Sequence, residues 1–305
     1  MKLSRRNFIG GFALLAALSN LSAHAARKNF SGMQEVKNAR GRIPDSKSEI
    51  FNAGAEIPDT ADELSRLRAQ MSENYVVKSA LSVPKPSHFK AFEDAPAAAA
   101  FNERLCKLVS GCKGEILPCA LVPVCDEAAA LKELERAKRS FGFFGAVIPT
   151  QVGGKFLEFG ALSKILEAAQ ALEMPIFAAA LNPPSRAVAR DAEIALFASN
   201  LACENKLAAL EKLKIVLPSV GGSLPFSLAR NSASPDDEGA FAGFFKNFYY
   251  VCGETYEEGL FREIRASIPT SRLLFGAAGN VAEALYRLRR VSNSAKILRG
   301  EPLLL

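Results

Sequence analysis

The stretch from Phe141 to Pro184 constrains the fold more than any other part of the chain, because it has the pattern of a strand–helix–strand unit. Residues Gly142–Thr150 form an almost wholly apolar run of strand length, typical of a strand buried on both faces. Residues Glu158–Glu173 follow with apolar side chains at helical spacing, and a second apolar run begins at Ile176. Two parallel strands joined by a crossover helix are typical of α/β proteins.

The same alternation of strand and helix patterns runs through most of the chain. No shift in composition marks a second domain, so we predict one α/β domain over residues 60–305. Its expected architecture is a (β/α)8 TIM-type barrel with a degenerate or missing first strand, and an open doubly wound sheet is the alternative. No glycine-rich phosphate loop follows the first strand pattern, which argues against a dinucleotide-binding fold. The seven strand patterns cover residues 75–83, 115–124, 142–150, 176–181, 212–218, 245–252 and 272–276.

Residues 1–25 have the pattern of a twin-arginine export signal. The sequence Ser4-Arg5-Arg6 precedes a short apolar core, and Ala23-His24-Ala25 predicts cleavage before Ala26. The apolar core is about half of the ~20 residues needed to span a bilayer, so no stable membrane span is predicted. We therefore expect export through the twin-arginine machinery to a periplasmic or secreted location.

Residues 26–59 are predicted to form a polar N-terminal arm. They are rich in Lys, Arg, Asn and Ser and show no strong apolar strand pattern. The formal net charge of the whole chain is +6, and part of that excess belongs to the export signal. So small an excess does not predict a nucleic-acid partner.

Several short segments, in one order and at consistent spacing, carry a resemblance to a known family. They are FFGAVIPT at 143–150, EMPIF at 173–177, KIVL at 214–217, RLLFG at 272–276 and ILRG at 297–300. Together they make the run from Asp62 to Leu305 resemble the amidohydrolase-related family, which includes aminocarboxymuconate-semialdehyde decarboxylase and related hydrolases and carboxy-lyases. The resemblance implies a (β/α)8 barrel that binds one divalent metal, such as zinc, at its C-terminal face.

The positions where that family carries its metal ligands hold other residues here. The family's His-x-His pair has no counterpart, because His24 and His88 are the only histidines. The resemblance places the fifth-strand histidine at or near Ala179, the sixth-strand histidine at Ser219 and the eighth-strand aspartate at Ala278. Alanine offers no lone pair and a neutral serine hydroxyl is a poor ligand, so no metal cofactor is expected.

This loss of ligands favours a non-catalytic barrel that binds a small molecule or a partner protein. The alternative is an active hydrolase or carboxy-lyase with a rebuilt site, in which Cys252, Glu254 and His88 converge. A third hypothesis is a subunit whose barrel docks on another exported protein. Polar groups that follow strand patterns are the candidates for a shared pocket lining, although each alone is more typical of a turn or loop residue. The candidates are His88, Gln151, Asn182, Ser219, Cys252 and Glu254.

The six cysteines show no C-x-x-C or zinc-site spacing. Cys119, Cys125 and Cys252 lie on or beside apolar strand patterns, where cysteine often acts as a small buried hydrophobe. Cys106 and Cys112 flank the end of a predicted helix, and export would permit a disulfide between them.

Overall fold

Eight of the described strands form one parallel sheet that follows the order of the chain, and a short antiparallel hairpin, Gln151–Val152 with Lys155–Phe156, lies outside it. The structure is a computed structural model that describes residues 50–112, 114–202, 206–231, 242–252, 258–289 and 294–304. These residues belong to a single compact unit, residues 47–305. Eight parallel strands run in sequence order from the first to the last. They are β1 (Ile50–Glu56), β2 (Val76–Val83), β3 (Ile116–Leu121), β4 (Gly145–Pro149), β5 (Ile176–Ala179), β6 (Ile215–Leu217), β7 (Phe248–Cys252) and β8 (Leu273–Phe275).

Helices follow most of the strands, which makes the fold the predicted (β/α)8 barrel. Among the described helices, none combines the length and the apolar character needed to cross a bilayer. The helices are α1 (Ala61–Glu73), α2 (Ala95–Val109), α3 (Glu127–Arg139), α4 (Phe159–Ala171), α5 (Ala187–Ala202), α6 (Leu224–Arg230), α7 (Ala242–Lys246), α8 (Glu258–Ser267), α9 (Val281–Arg289), α10 (Ser294–Arg299) and α11 (Glu301–Leu304).

The central strand–helix–strand unit forms as the sequence predicts, as β4, α4 and β5. Every residue of β4 and β5 is buried, which explains why both read as continuous apolar runs. The apolar residues of α4 lie on one buried face, and the helix ends at Ala171, ahead of Pro175. Glu173 then takes a positive φ of 53°, which turns the chain into β5.

The first strand lies inside the segment that the sequence predicts to be a polar arm. β1 pairs in parallel with β2, from Ile50 opposite Val76 to Glu56 opposite Val83, and all of its residues except Glu56 are buried. The predictions of a strandless arm up to residue 59 and of a missing first strand are therefore wrong, although three register shifts make the pairing of β1 with β2 irregular. Asn52 and Gly54 interrupt the apolar pattern, and neither is a typical strand residue. The rest of the predicted arm and the export signal lie outside the described residues.

Asn52 joins the first strand to the loop after the last strand. Among the described strands, backbone pairing is continuous from β1 to β8 but does not join β8 to β1. Instead, the Asn52 Nδ2 donates to the carbonyl oxygen of Ala277 at 3.1 Å, and its Oδ1 accepts from the Ala277 N–H at 2.9 Å. The same Oδ1 accepts from the N–H of Gly54 at 3.0 Å. One buried side-chain amide thus takes the place of some backbone hydrogen bonds at the junction between β1 and β8, which is called the seam below.

Two glycines allow the backbones to approach closely at the seam. A Cβ at Gly276 would lie 3.0 Å from the nitrogen of Gly54 and 2.3 Å from a methyl carbon of Val251. A side chain there would force β1 and β8 apart, so the seam needs glycine for close packing rather than for an unusual backbone angle.

Candidate functional site

The loops after the strands gather at one face of the barrel, where TIM-type proteins carry their sites. Two side-chain networks, one buried and one partly exposed, hold these loops in place. One is centred on the carboxylate of Glu193 in α5, and the other on the carboxylate of Asp59 in the loop after β1.

Glu193 connects the ends of β4 and β5. Its Oε1 accepts from the hydroxyl of Thr150, at the end of β4, and from the N–H of Leu181 at 2.7 Å. Its Oε2 accepts from both the backbone N–H (2.9 Å) and the side-chain Nδ2 (2.7 Å) of Asn182. The carboxylate therefore has four donors, although the residue is only 2% exposed.

These donors decide the charge state of Glu193. Burial by itself would raise the pKa of this carboxyl, but the hydrogen bonds from Thr150, Leu181 and Asn182 outweigh burial and hold the pKa below its ordinary value. An ionised carboxylate therefore fixes the loop after β5 to the end of β4.

Asp59 connects the loops after β1 and β2. Its Oδ1 accepts from the Nε2 of His88 at 2.8 Å and from the guanidinium of Arg104 at 3.1 Å. Its Oδ2 lies 3.1 Å from the Nζ of Lys85, which also donates to Glu63 at 2.6 Å. Burial tends to raise the pKa of Asp59, but the contacts with His88 and Lys85 hold it below its ordinary value.

The resemblance expects metal ligands at Ala179, Ser219 and Ala278, and all three residues lie in the part of the chain that the structure describes. Ala179 is the buried last residue of β5, and Ala278 is exposed just after β8. Ser219 begins the short 3₁₀ turn Ser219–Gly221 after β6, with a positive φ of 48°. β1, which is the first strand, contains no histidine. In the part of the chain that the structure describes, no group of three or more His, Cys, Asp or Glu residues is placed to hold a metal ion.

Comparison with known proteins identifies the family. A sequence model of the amidohydrolase family matches residues 77–277, which is more than half of the chain. The protein therefore belongs to the amidohydrolase family. The match starts within β2, so it excludes the first strand. No curated protein sequence matches the chain closely.

Solved structures of decarboxylases share the fold. A 2,6-dihydroxybenzoate decarboxylase from Rhizobium has a TM-score of 0.70 at 20% identity, covering 84% of this chain and 99% of that one. A dihydroxybenzoic acid decarboxylase from Polaromonas sp. JS666, with bound manganese and the inhibitor 2-nitroresorcinol, has a TM-score of 0.69 at 22% identity, covering 88% and 93%. The 5-carboxyvanillate decarboxylase from Sphingomonas paucimobilis has a TM-score of 0.67 at 15% identity, covering 83% and 97%.

The described pocket candidates lie at or after the ends of strands, in separate settings. His88 is buried in the Asp59 network, and Asn182 is bound to Glu193. Gln151 pairs with Phe156 in a two-stranded hairpin after β4, and Cys252 is the buried last residue of β7. Within the described part of the chain, no hydrogen bond joins any two of these candidates. Glu254 lies outside the described residues.

The cysteines of the described residues are all free thiols. Cys106 and Cys112 do not pair, so the disulfide that export would permit is not formed here. Cys119 and Cys252 are buried as expected, whereas Cys125 is exposed, because it lies in the loop beyond β3 rather than on the strand. Cys203 lies outside the described residues.

Sequence reasoning did not single out Glu193 or Asn52. The sequence does contain a signal for Glu193. Phe197 and Leu201 follow it at four-residue spacing, so Glu193 lies on a helix face that is otherwise apolar. A lone carboxylate on such a face indicates a buried, partnered charge. Asn52 has no comparable signal, because its partner Ala277 lies 225 residues away in the sequence.

Proposed function

We propose that this protein is an exported, non-catalytic member of the amidohydrolase family that binds a small molecule or a partner protein at the barrel mouth. One observation carries the proposal: the residues at the positions where the resemblance expects metal ligands are Ala179, Ser219 and Ala278, and β1 lacks histidine. A protein site for zinc or a similar ion normally supplies at least three donors from imidazole, carboxylate or thiolate groups. These residues do not fit a divalent metal.

Metal analysis of the purified full-length chain tests this proposal. We expect far less than about one equivalent of zinc or manganese per chain after expression in metal-supplemented medium. We also expect no change in melting temperature on addition of EDTA. The Polaromonas decarboxylase, purified in parallel, is the matched control for metal retention. A stoichiometric, tightly held ion in this protein would overturn the proposal.

The ligand class can be approached through the structural neighbours. The neighbouring structures include decarboxylases of hydroxylated aromatic carboxylates, so 2,6-dihydroxybenzoate and 5-carboxyvanillate are the first compounds to test. If either acid binds, we expect calorimetry to record the heat of binding while no carbon dioxide is released.

Export itself is tested by fractionating cells that express the chain, with an Arg5→Lys/Arg6→Lys variant as the control that should remain in the cytoplasm.

The alternative is an active hydrolase or carboxy-lyase with a rebuilt site. It is supported by the retained fold and by the decarboxylase neighbours. It would use Cys252, Glu254 and His88, but burial raises the pKa of the Cys252 thiol, which disfavours the nucleophilic thiolate. Release of carbon dioxide from either aromatic acid by the purified chain would favour this alternative.

Alkylation of the native protein tests the chemical state of Cys252. We expect iodoacetamide to modify exposed Cys125 and to leave Cys252 and Cys119 unmodified until the protein is denatured, because both are buried. Peptide mass spectrometry with and without denaturant measures this, and Cys119 is the matched buried control. Modification of Cys252 at a rate similar to that of Cys125 would contradict the prediction and support the alternative function.

A further inference from the structure

The hydrogen bonds around His88 fix which ring nitrogen carries the proton. The Nδ1 lies 3.2 Å from the backbone nitrogen of Lys85, which can only donate, so Nδ1 must accept and is unprotonated. The Nε2 therefore carries the hydrogen and donates it to Asp59. The ring packs on Phe101 with 4.7 Å between centroids, and the His88 side chain is 2% exposed. His88 is thus a buried, neutral imidazole held in one tautomer.

Charged groups from several elements surround this ring. Among the described residues, Asp59 after β1 is the only anion that bonds to it, and Asp59 is already shared with Lys85 and Arg104. Lys85 extends the network to Glu63 in α1 and, at 3.8 Å, to Glu56 in β1.

Other charged groups on the neighbouring elements pair with each other rather than with His88. On α2, which packs against the Pro86–Phe92 segment, Glu103 and Lys107 pair with each other. Lys90, in the segment itself, pairs with Asp94. Two cations and one shared anion are therefore what a protonated His88 would meet.

We propose that these contacts form an acid-sensitive latch, in which protonation of His88 releases the 3₁₀ segment Pro86–Phe92 from the loop after β1. A proton from solvent can add only at Nδ1, and the new N–H then faces the N–H of Lys85, so two donors oppose each other. The positive ring is also buried beside Lys85 and Arg104. Turning outward to water relieves both problems and breaks the bond from Nε2 to Asp59.

The direction of the pH dependence follows from these contacts. Burial lowers the pKa of His88 and the bond to Asp59 raises it, with a net value below the ordinary 6.5. The stabilisation from the neutral ring is therefore complete above pH 6.5 and is lost as the pH falls towards the folded-state pKa. The latch concerns the loops after β1 and β2, so it does not depend on what the barrel binds or whether it retains catalysis.

Proton NMR can observe the latch directly, because His24 and His88 are the only histidines. In a full-length His24→Ala variant, the one remaining ring signal reports His88. We expect it to titrate with a pKa below 6.5. Amide hydrogen exchange is then measured from pH 7.5 to about 5 and corrected for intrinsic exchange rates. The protection of residues 85–92 should fall roughly tenfold per pH unit between pH 6.5 and the pKa of His88 in the folded protein. Amides of β4 and β5 should keep their protection.

The matched variant is His88→Asn, in the same His24→Ala background. The asparagine carbonyl can accept from the N–H of Lys85 but cannot be protonated, so we expect the pH dependence of protection to disappear. A histidine pKa at or above 6.5, unchanged protection on acidification, or the same pH dependence in His88→Asn would each overturn the proposal. A uniform loss of protection across the barrel would also do so. If His88→Asn fails to fold, the titration and exchange of the His24→Ala protein decide the question alone.

Discussion

Replacing Glu193 with glutamine is expected to lower the free energy of unfolding by about 3 kcal/mol. The buried carboxylate accepts from Thr150, from Leu181 and twice from Asn182. A glutamine side chain has a similar shape, but its NH₂ group would face groups that are themselves donors. The loop after β5 must then move, or buried N–H groups lose their acceptors. Denaturant unfolding at neutral pH, followed by circular dichroism, measures the difference.

The control for this substitution is Glu167→Gln, at an exposed position on α4. Its expected effect is within about 0.5 kcal/mol of zero. The Glu193 effect should also depend on pH. Because the folded-state pKa lies below 4.5, the carboxylate's stabilisation is complete above pH 4.5 and is lost as the pH falls through the folded value. A difference between wild type and Glu193→Gln that stays constant in acid would contradict the assigned charge state.

Replacing Asn52 with alanine is expected to cost about 4 kcal/mol, because three buried backbone groups lose their partner at once. These groups are the N–H and carbonyl of Ala277 and the N–H of Gly54. The substitution also leaves a small cavity at the seam between β1 and β8. Equilibrium unfolding in urea should show a lower midpoint, and hydrogen exchange should show the greatest loss of protection in β1 and β8.

Two variants make this result specific to the seam. Asn231→Ala removes an exposed amide that, among the described residues, donates to the carbonyl oxygen of Ser227 one turn earlier, and we expect a change within about 0.5 kcal/mol. Asn52→Asp retains an acceptor for the two N–H groups but brings a carboxylate oxygen to the carbonyl of Ala277, so it should also destabilise. If Asn52→Ala were as stable as Asn231→Ala, the side-chain amide would not be what closes the barrel.

Glu193 and Asn52 together suggest how the loops at the barrel mouth are held in place. Glu193 joins β4 to the loop after β5, and Asn52 joins β1 to the loop after β8. In both cases one polar side chain satisfies backbone groups from distant parts of the chain. The loops that would shape a binding site are therefore fixed by the protein's own hydrogen bonds, which is consistent with the proposed binding role.

Helix starts and apolar faces were predictable because their causes are local. Asp126 caps α3 through the N–H of Ala129, and Glu135 pairs with Arg139 one turn later, as the spacing indicates. The candidate site was less predictable. Asn182 follows a strand as expected, but only the fold shows that Glu193 occupies its donors. His88 has the side chain of a catalytic base, yet the fold buries it against Phe101 and Asp59.

The sequence alone determined the α/β class, seven of the eight strands and the family, because apolar periodicity and short motifs depend on neighbours in the chain. Only the tertiary structure decided that β1 exists and how the barrel closes. Asn52 becomes a strand residue because a loop 225 positions later supplies its partners, and no local pattern encodes a contact at that separation.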